Sequence, residues 1–431
     1  MSQELAGLIG IIIMLVLIFS GMWVGLTMAF VGFVGFVYLG GLQAALANLA
    51  TTSYNTVASY NFAPIPLFVL MGNLVSTTGV SSDLYNTAYK WFGQLKGGLA
   101  IATCVACAAF AAICGSSIAG AVTMGKVCLP EMKRHGYDDR LATGVVASGG
   151  TLGILIPPSI GLILYGIITE NSVGKLFMAG IIPGLLLTGL FMVTVFFWTL
   201  KDAKVGPPGP KISLKEKIVS LKGTWIMGLL FLLVLGGLYL GIFTPTESGA
   251  IGAFGAIIIT LLNRRITWKH LLESVKDTGM TTAKVGIMII GAYLLMRFLA
   301  ISQLPAMLAG SITELHVSPY ATLVIILAFY VILGMFLDIL SAVIFTVPII
   351  YPVITGLGFD PIWFGIIMVI IQEMGLVTPP VGLNVFALGS VTDVPMTQIF
   401  KGVLPFIAAM IVCTLLLVLF PEIVLFIPSR M

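Results

Sequence analysis

Two stretches of this sequence interrupt an apolar run with a double proline. They are Leu152-Gly153-Ile154-Leu155-Ile156-Pro157-Pro158-Ser159 and Gly375-Leu376-Val377-Thr378-Pro379-Pro380-Val381-Gly382. Each proline lacks a backbone donor and clashes with the preceding turn, and the residue before it is pushed out of α geometry. Carbonyls are thereby freed in the middle of runs long enough to cross a bilayer, where no water satisfies them cheaply. A cation is a good partner for them. In discontinuous membrane helices, unwound carbonyls and half-helix C-termini hold Na⁺ or H⁺, and half-helix N-termini face anionic groups. For either motif alone, a packed structural kink is the competing reading.

A second set of polar residues lies inside two apolar stretches, 98–130 and 319–352. Each is too long for one crossing and too short for two, which predicts a re-entrant hairpin. Gly115-Ser116-Ser117 marks the middle of the first, and Gly334 and Asp338 mark the middle of the second. Ser116 and Ser117 offer hydroxyl oxygens that can also cap the returning arm. Asp338 is an ionisable residue deep in a membrane segment, a functional residue by default, with helix capping or internal pairing as the alternative. These groups predict two cation sites. One lies between Ser116/Ser117 and the Gly153–Pro158 break, and the other between Asp338 and the Thr378–Pro380 break. The sodium ligands are then expected among Ser116, Ser117, Gly153, Pro157, Asp338, Thr378, Pro380 and Gly382, with substrate between the two tips.

Weaker candidates surround these. Glu373 precedes the second break and is read as a proton or cation site, or as an internally paired acid. Arg297 is an anion site or a snorkelling side chain, and Lys126 snorkels from a hairpin arm. Asn171 and Asn384 can donate to a substrate. Glu247, after Pro245, suits the first turn of a helix. Cys104 and Cys107 form a C-x-x-C, but no third ligand lies at metal spacing, so small-residue packing is preferred. No Walker A sequence and no nucleophile–base–acid spacing is present, so an enzyme is not expected.

The elements that position these residues follow from composition. The 431 residues are 59% hydrophobic and 9% charged, with a mean hydropathy of +1.12. That excludes a soluble globular domain and a disordered chain. The net charge of +4 and the lack of basic clusters exclude nucleic acid as a partner. Apolar runs predict an all-α polytopic protein with ten crossings, near 5–20, 22–39, 62–80, 141–169, 176–200, 225–243, 247–263, 282–301, 362–391 and 399–420, plus the two hairpins.

The two halves repeat. Pro130, Gly136, Asp138, Gly153, Pro157, Pro158, Gly180 and Pro183 recur as Pro352, Gly358, Asp360, Gly375, Pro379, Pro380, Gly402 and Pro405, always 222 residues later. Each half has five crossings, an odd number, so the second is inserted upside down. This is the inverted-topology repeat of many secondary transporters. The domains are repeat 1 (1–205), a basic linker (206–224) and repeat 2 (225–431). An outside N-terminus places 17 of the 21 Lys and Arg on one side. That side is cytoplasmic by the positive-inside rule, and both termini are then periplasmic. The linker lysines serve that rule or bind lipid headgroups. Only Glu4 precedes the first run, which argues against a cleaved signal peptide.

At this point a family resemblance emerges. The motifs Pro66-Leu67-Phe68…Gly72, Gly97-Gly98-Leu99-Ala100, Gly115-Ser116-Ser117, Gly136-Tyr137, Pro157-Pro158-Ser159, Leu176-Phe177…Ala179-Gly180…Pro183-Gly184, Thr244-Pro245-Thr246-Glu247 and Thr378-Pro379-Pro380-Val381-Gly382-Leu383-Asn384 run end to end. Together they resemble the large membrane subunit of TRAP (tripartite ATP-independent periplasmic) transporters, of the DctM/SiaM type. The resemblance implies Na⁺-coupled uptake of organic acids across the bacterial inner membrane by an elevator motion. It also implies a periplasmic substrate-binding protein and a small four-helix membrane subunit as partners. Because the first span begins at Leu5, that small subunit is expected to be a separate chain. The plan is also similar to that of divalent-anion sodium symporters, although this chain has Gly-Ser-Ser and Asp338 where those have a Ser-Asn-Thr tip. That likeness implies cation roles for Ser116, Ser117, Gly153, Asp338, Thr378 and Pro380, and substrate roles for Pro158, Ser159, Pro379 and Asn384. A stand-alone sodium/anion symporter is the first alternative, and a passive channel or scaffold the second.

Overall fold

The computed structural model describes residues 2–76, 79–262, 268–305, 307 and 318–431. Residues 77–78 of the expected 62–80 crossing, residue 263 of the 247–263 crossing, and Arg264 and Arg265 of a basic connection lie outside them. Among the described residues, all regular structure is helical.

Both long apolar stretches fold as helical hairpins. Hairpin 1 joins Gly98–Cys114 to Ser117–Arg134, and hairpin 2 joins Pro319–Phe336 to Ile339–Gly356. Shifted by the sequence offset, the ends of hairpin 1 fall on those of hairpin 2 to within one residue. Ser116 and Asp338 occupy the same place and do the same job. The Ser116 hydroxyl accepts from Ala119 N (3.4 Å), and the Asp338 carboxylate accepts from Leu340 N (3.2 Å), each opening the returning arm. Gly115 turns the first tip at φ +61°, and a Cβ there would lie 3.2 Å from the Pro158 carbonyl oxygen, so the turn and the packing both need glycine.

The double prolines break their helices as expected. Asp139–Gly150 and Leu152–Leu155 precede the first break and Ile160–Thr169 follows it; Pro361–Gly375 precedes the second and Leu383–Gly389 follows it. The Pro157–Pro158 and Pro379–Pro380 bonds are both cis. Asp138 and Asp360 cap the two equivalent helices, accepting from Arg140 N (2.8 Å) and Ile362 N (2.8 Å). These broken helices form the centre: the apolar window within Asp139–Thr169 is 89% buried, whereas that of the outer hairpin arm Pro319–Phe336 is 33% buried.

A second group of helices forms the surrounding frame. Val24–Gly40 lies along Trp268–Ser302, and Pro64–Ser76 packs on both Trp268–Ser302 and Pro245–Leu262. A Cβ on Gly32 would meet Leu294 C and Leu295 N at 2.6 Å, so these backbones touch. Glu247 sits in the first turn of Pro245–Leu262 and forms a reciprocal cap with Thr244, Thr244 N donating to Glu247 (2.8 Å) and Glu247 N to the Thr244 hydroxyl (3.3 Å).

Among the described residues, six helices are long and apolar enough to cross a membrane singly, or eight if two bent pairs each count as one span. The ten expected crossings also draw on shorter apolar helices such as Gln3–Phe19, Val24–Gly40 and Pro361–Gly375. Three helical segments were passed over by counting apolar runs: Leu42–Ala58, Val80–Phe92 and Leu214–Gly223. Their polar and apolar residues are interspersed, so no uniform run marks them. Leu42–Ala58 is bent by 58° from Tyr60–Ser76, and Leu214–Gly223 by 58° from Trp225–Tyr239.

Candidate functional site

Each hairpin tip rests on a broken helix. A Cβ on Gly153 would lie 2.9 Å from the Ser116 carbonyl oxygen, so the first tip sits directly on the Gly153–Pro158 segment. In repeat 2, Gly334 and Gly375 are in backbone contact, a Cβ on Gly375 meeting Gly334 Cα at 2.6 Å. The Gln372 amide then donates to the Leu337 carbonyl (3.2 Å), beside Asp338. Glycine at these crossings lets the tips approach close to the freed backbone.

Between the tips lies a cavity of about 270 Å³. Ser116, Ser117 and Asp338 line it from the hairpins, and Asn73, Ser76 and Thr281 line it from the frame. The Asp338 carboxylate is held by Leu340 N and by the Ser341 hydroxyl. It is half-buried and forms no ion pair among the described residues. One carboxylate, several hydroxyls and nearby carbonyls make a hard-oxygen donor set that fits an alkali cation better than a transition metal.

Glu373 joins the two repeats here. It is fully buried, and its Oε1 accepts from the Ser117 hydroxyl at 2.6 Å, while Oε2 has no hydrogen-bond partner. The tip of hairpin 1 is thus tied to broken helix 2 as well as seated on broken helix 1. Replacing Ser117 by Ala leaves a buried carboxyl with neither oxygen bonded. A loss of about 1–3 kcal/mol is expected, read as a lowered melting temperature of the purified protein, with Ser117→Thr retaining most of the stability.

The other expected residues are placed as follows. Pro157, Pro158 and Ser159 are buried under hairpin 1, and the Ser159 hydroxyl accepts from Leu162 N (3.3 Å), capping the second half-helix. The Thr378 hydroxyl donates to the Met374 carbonyl (2.6 Å). Gly382 takes φ +63° and starts Leu383–Gly389. Pro379 and Pro380 are exposed, unlike their counterparts in repeat 1. Asn384 is fully buried with neither amide atom bonded. Pro158, Ser159, Pro379 and Asn384 do not line the cavity between the tips, whereas Ile154, Ile160 and Leu376 from the same segments do. Asn171 bonds the Tyr351 hydroxyl (3.1 Å). Asn73, Ser76 and Thr281 were not singled out by sequence; they are ordinary polar residues of frame helices with no motif to flag them.

An apolar, all-helical chain built of two like halves, each with a hairpin seated on a proline-broken helix around a shared polar cavity, has the architecture of a secondary transporter. The family described as "Tripartite ATP-independent periplasmic transporter, DctM component" matches residues 11–423, and the chain belongs to it. It is 37% identical over 387 residues to the C4-dicarboxylate TRAP transporter large permease protein DctM of Pseudomonas aeruginosa, covering 89% of this chain and 90% of that protein. It is 31% identical over 414 residues to the sialic acid TRAP transporter large permease protein SiaM of Vibrio cholerae, covering 96% of each. Among solved structures, the YdaH transporter of Alcanivorax borkumensis shares the fold with a TM-score of 0.66 at 16% identity, covering 88% of this chain and 89% of that one. The protein is therefore a multi-pass membrane transporter subunit.

Proposed function

We propose that this chain is the translocating subunit of a sodium-coupled importer of organic acids in the bacterial inner membrane. A periplasmic binding protein delivers the acid, and a small four-helix membrane subunit braces the frame. The convergence of Ser116, Ser117 and Asp338 on one cavity between the hairpin tips is the observation that carries this reading. Sodium takes oxygen from the tips and from the carbonyls freed by the prolines, with the sites expected from the sequence. A cation beside Asp338 lets a carboxylate substrate approach, since two unscreened negative charges in so confined a place repel strongly. The Gly153, Pro157, Thr378, Pro380 and Gly382 assignments, and the substrate roles of Pro158, Ser159, Pro379 and Asn384, belong to this proposal.

Hairpins and broken helices move as one block against the frame. By the positive-inside reading, Ser76 and Thr281 lie near the cytoplasmic ends of the 62–80 and 282–301 crossings, so the cavity as seen faces inward and both termini are periplasmic. Two of the relatives, named for C4-dicarboxylates and for sialic acid, support an organic acid as the substrate. The test is uptake of a labelled acid into vesicles containing this chain and the small subunit, with and without the binding protein. Omitting the binding protein is expected to abolish uptake. Uptake that persists without it supports a stand-alone symporter instead.

A further inference from the structure

A second polar cavity, of about 250 Å³, shares no lining residue with the first. Thr52, Asn55 and Ser59 line it from the bent helix and its turn, Ile167 from the far end of broken helix 1, and Tyr293 and Arg297 from Trp268–Ser302. Arg297 is exposed into this space and has no ion-pair or hydrogen-bond partner among the described residues. Glu170, the acid that ends the Ile160–Thr169 helix, does not pair with it. The Tyr293 hydroxyl donates to the Ile167 carbonyl (3.4 Å), so the cavity lies on the seam between frame and block.

The two cavities share this seam. Trp268–Ser302 lines the first at Thr281 and the second at Arg297. Those residues are about 24 Å apart at 1.5 Å per helical residue. We propose that the Arg297 cavity is a second carboxylate-binding site, which receives the organic acid at the exterior end of the seam before it reaches the hairpin tips. An unpaired guanidinium is a fork of donors matched to a carboxylate. Thr52, Asn55, Ser59 and Tyr293 supply hydroxyls and an amide for the remaining polar groups of such an acid. The volumes of about 250 and 270 Å³ admit molecules of one size to both cavities. A snorkelling arginine needs neither an enclosing cavity nor this polar lining. The exterior placement rests on the proposed topology; the site itself does not need sodium, because none of the described residues lining it is an acid that calls for a cation.

The test is labelling of arginines by phenylglyoxal on the full chain in phosphatidylcholine nanodiscs, read by mass spectrometry at Arg297 with Arg134 as the internal reference. Succinate and N-acetylneuraminate are the acids tried, and succinamide is the uncharged control. At saturating acid, labelling of Arg297 is expected to slow roughly tenfold, equally in sodium and in choline buffer, with no effect of succinamide. Asn55→Ala and Tyr293→Phe are expected to raise the protecting concentration several-fold while leaving labelling without acid unchanged. Labelling indifferent to both acids, or protection indifferent to both variants, overturns the proposal. Protection by added phosphatidylglycerol with none by either acid overturns it in favour of a lipid phosphate. Sodium-independent protection in a protein whose uptake proves sodium-independent leaves this site standing and removes only the coupling.

Discussion

Replacing Asp338 by Asn is expected to weaken sodium half-saturation of uptake by about 10- to 100-fold while leaving the protein folded. The change removes one charge and little else. Asparagine caps a helix as well as aspartate does, so the bond from Leu340 N that opens Ile339–Gly356 is retained. What disappears is the carboxylate on the cavity between the tips. A bond to a charged oxygen is worth about 1.5–3 kcal/mol, and each 1.4 kcal/mol is roughly tenfold in affinity. The measurement is initial uptake against sodium concentration in vesicles, beside a melting curve of the same preparation. Unchanged sodium dependence removes Asp338 from the coupling site. A collapsed melting temperature shows that its role is structural.

The second large effect is expected from Gly375→Ala. The added Cβ would meet Gly334 Cα and the Val331 carbonyl oxygen at 2.6 Å and Gly334 C at 2.7 Å. All three are backbone atoms, so no side-chain rotation relieves the contact. Overpacking of this kind costs about 1–3 kcal/mol, and relief requires the first arm of hairpin 2 to move off broken helix 2. The tip bearing Asp338 moves with it. A lowered melting temperature together with a weakened sodium half-saturation is expected. Gly189→Ala is the control: it lies within Val173–Lys201 with nothing within 4 Å of its Cβ. That change is expected to be neutral or to stabilise by up to about 1 kcal/mol. Equal behaviour of the two variants contradicts the packing described.

Much of the fold was legible because glycine and proline report backbone geometry directly. The constant offset between Pro130 and Pro352 or between Gly153 and Gly375 placed both hairpins and both breaks, because such residues recur only where the same turn or break recurs. Ser116 and Asp338 could be paired as equivalent caps by position alone, although their side chains differ. The link from Ser117 to Glu373 was not legible. Glu373 has Thr151 as its counterpart, so the repeat predicts no acid there, and nothing local connects residues 256 positions apart. The contrast between buried Pro157–Pro158 and exposed Pro379–Pro380 was hidden as well: hairpin 1 packs over the first motif, and its twin stays exposed. Asn73 and Thr281 reach the cavity through the packing of frame helices, which a hydropathy pattern does not encode. The bent helix Leu42–Ala58, which carries Thr52 and Asn55, escaped because its polar face breaks any apolar run.

Of all the steps in this account, the use of the hairpin-tip oxygens for sodium binds the others together. It explains an acid without an ion pair on a membrane cavity, two proline breaks that free carbonyls, and the close seating of each tip on its break. Accumulation of labelled acid by vesicles containing the complete system, with an inward sodium gradient or with choline replacing sodium at equal ionic strength, tests it most directly. Concentrative uptake is expected only with the sodium gradient. Equal accumulation in choline contradicts the account.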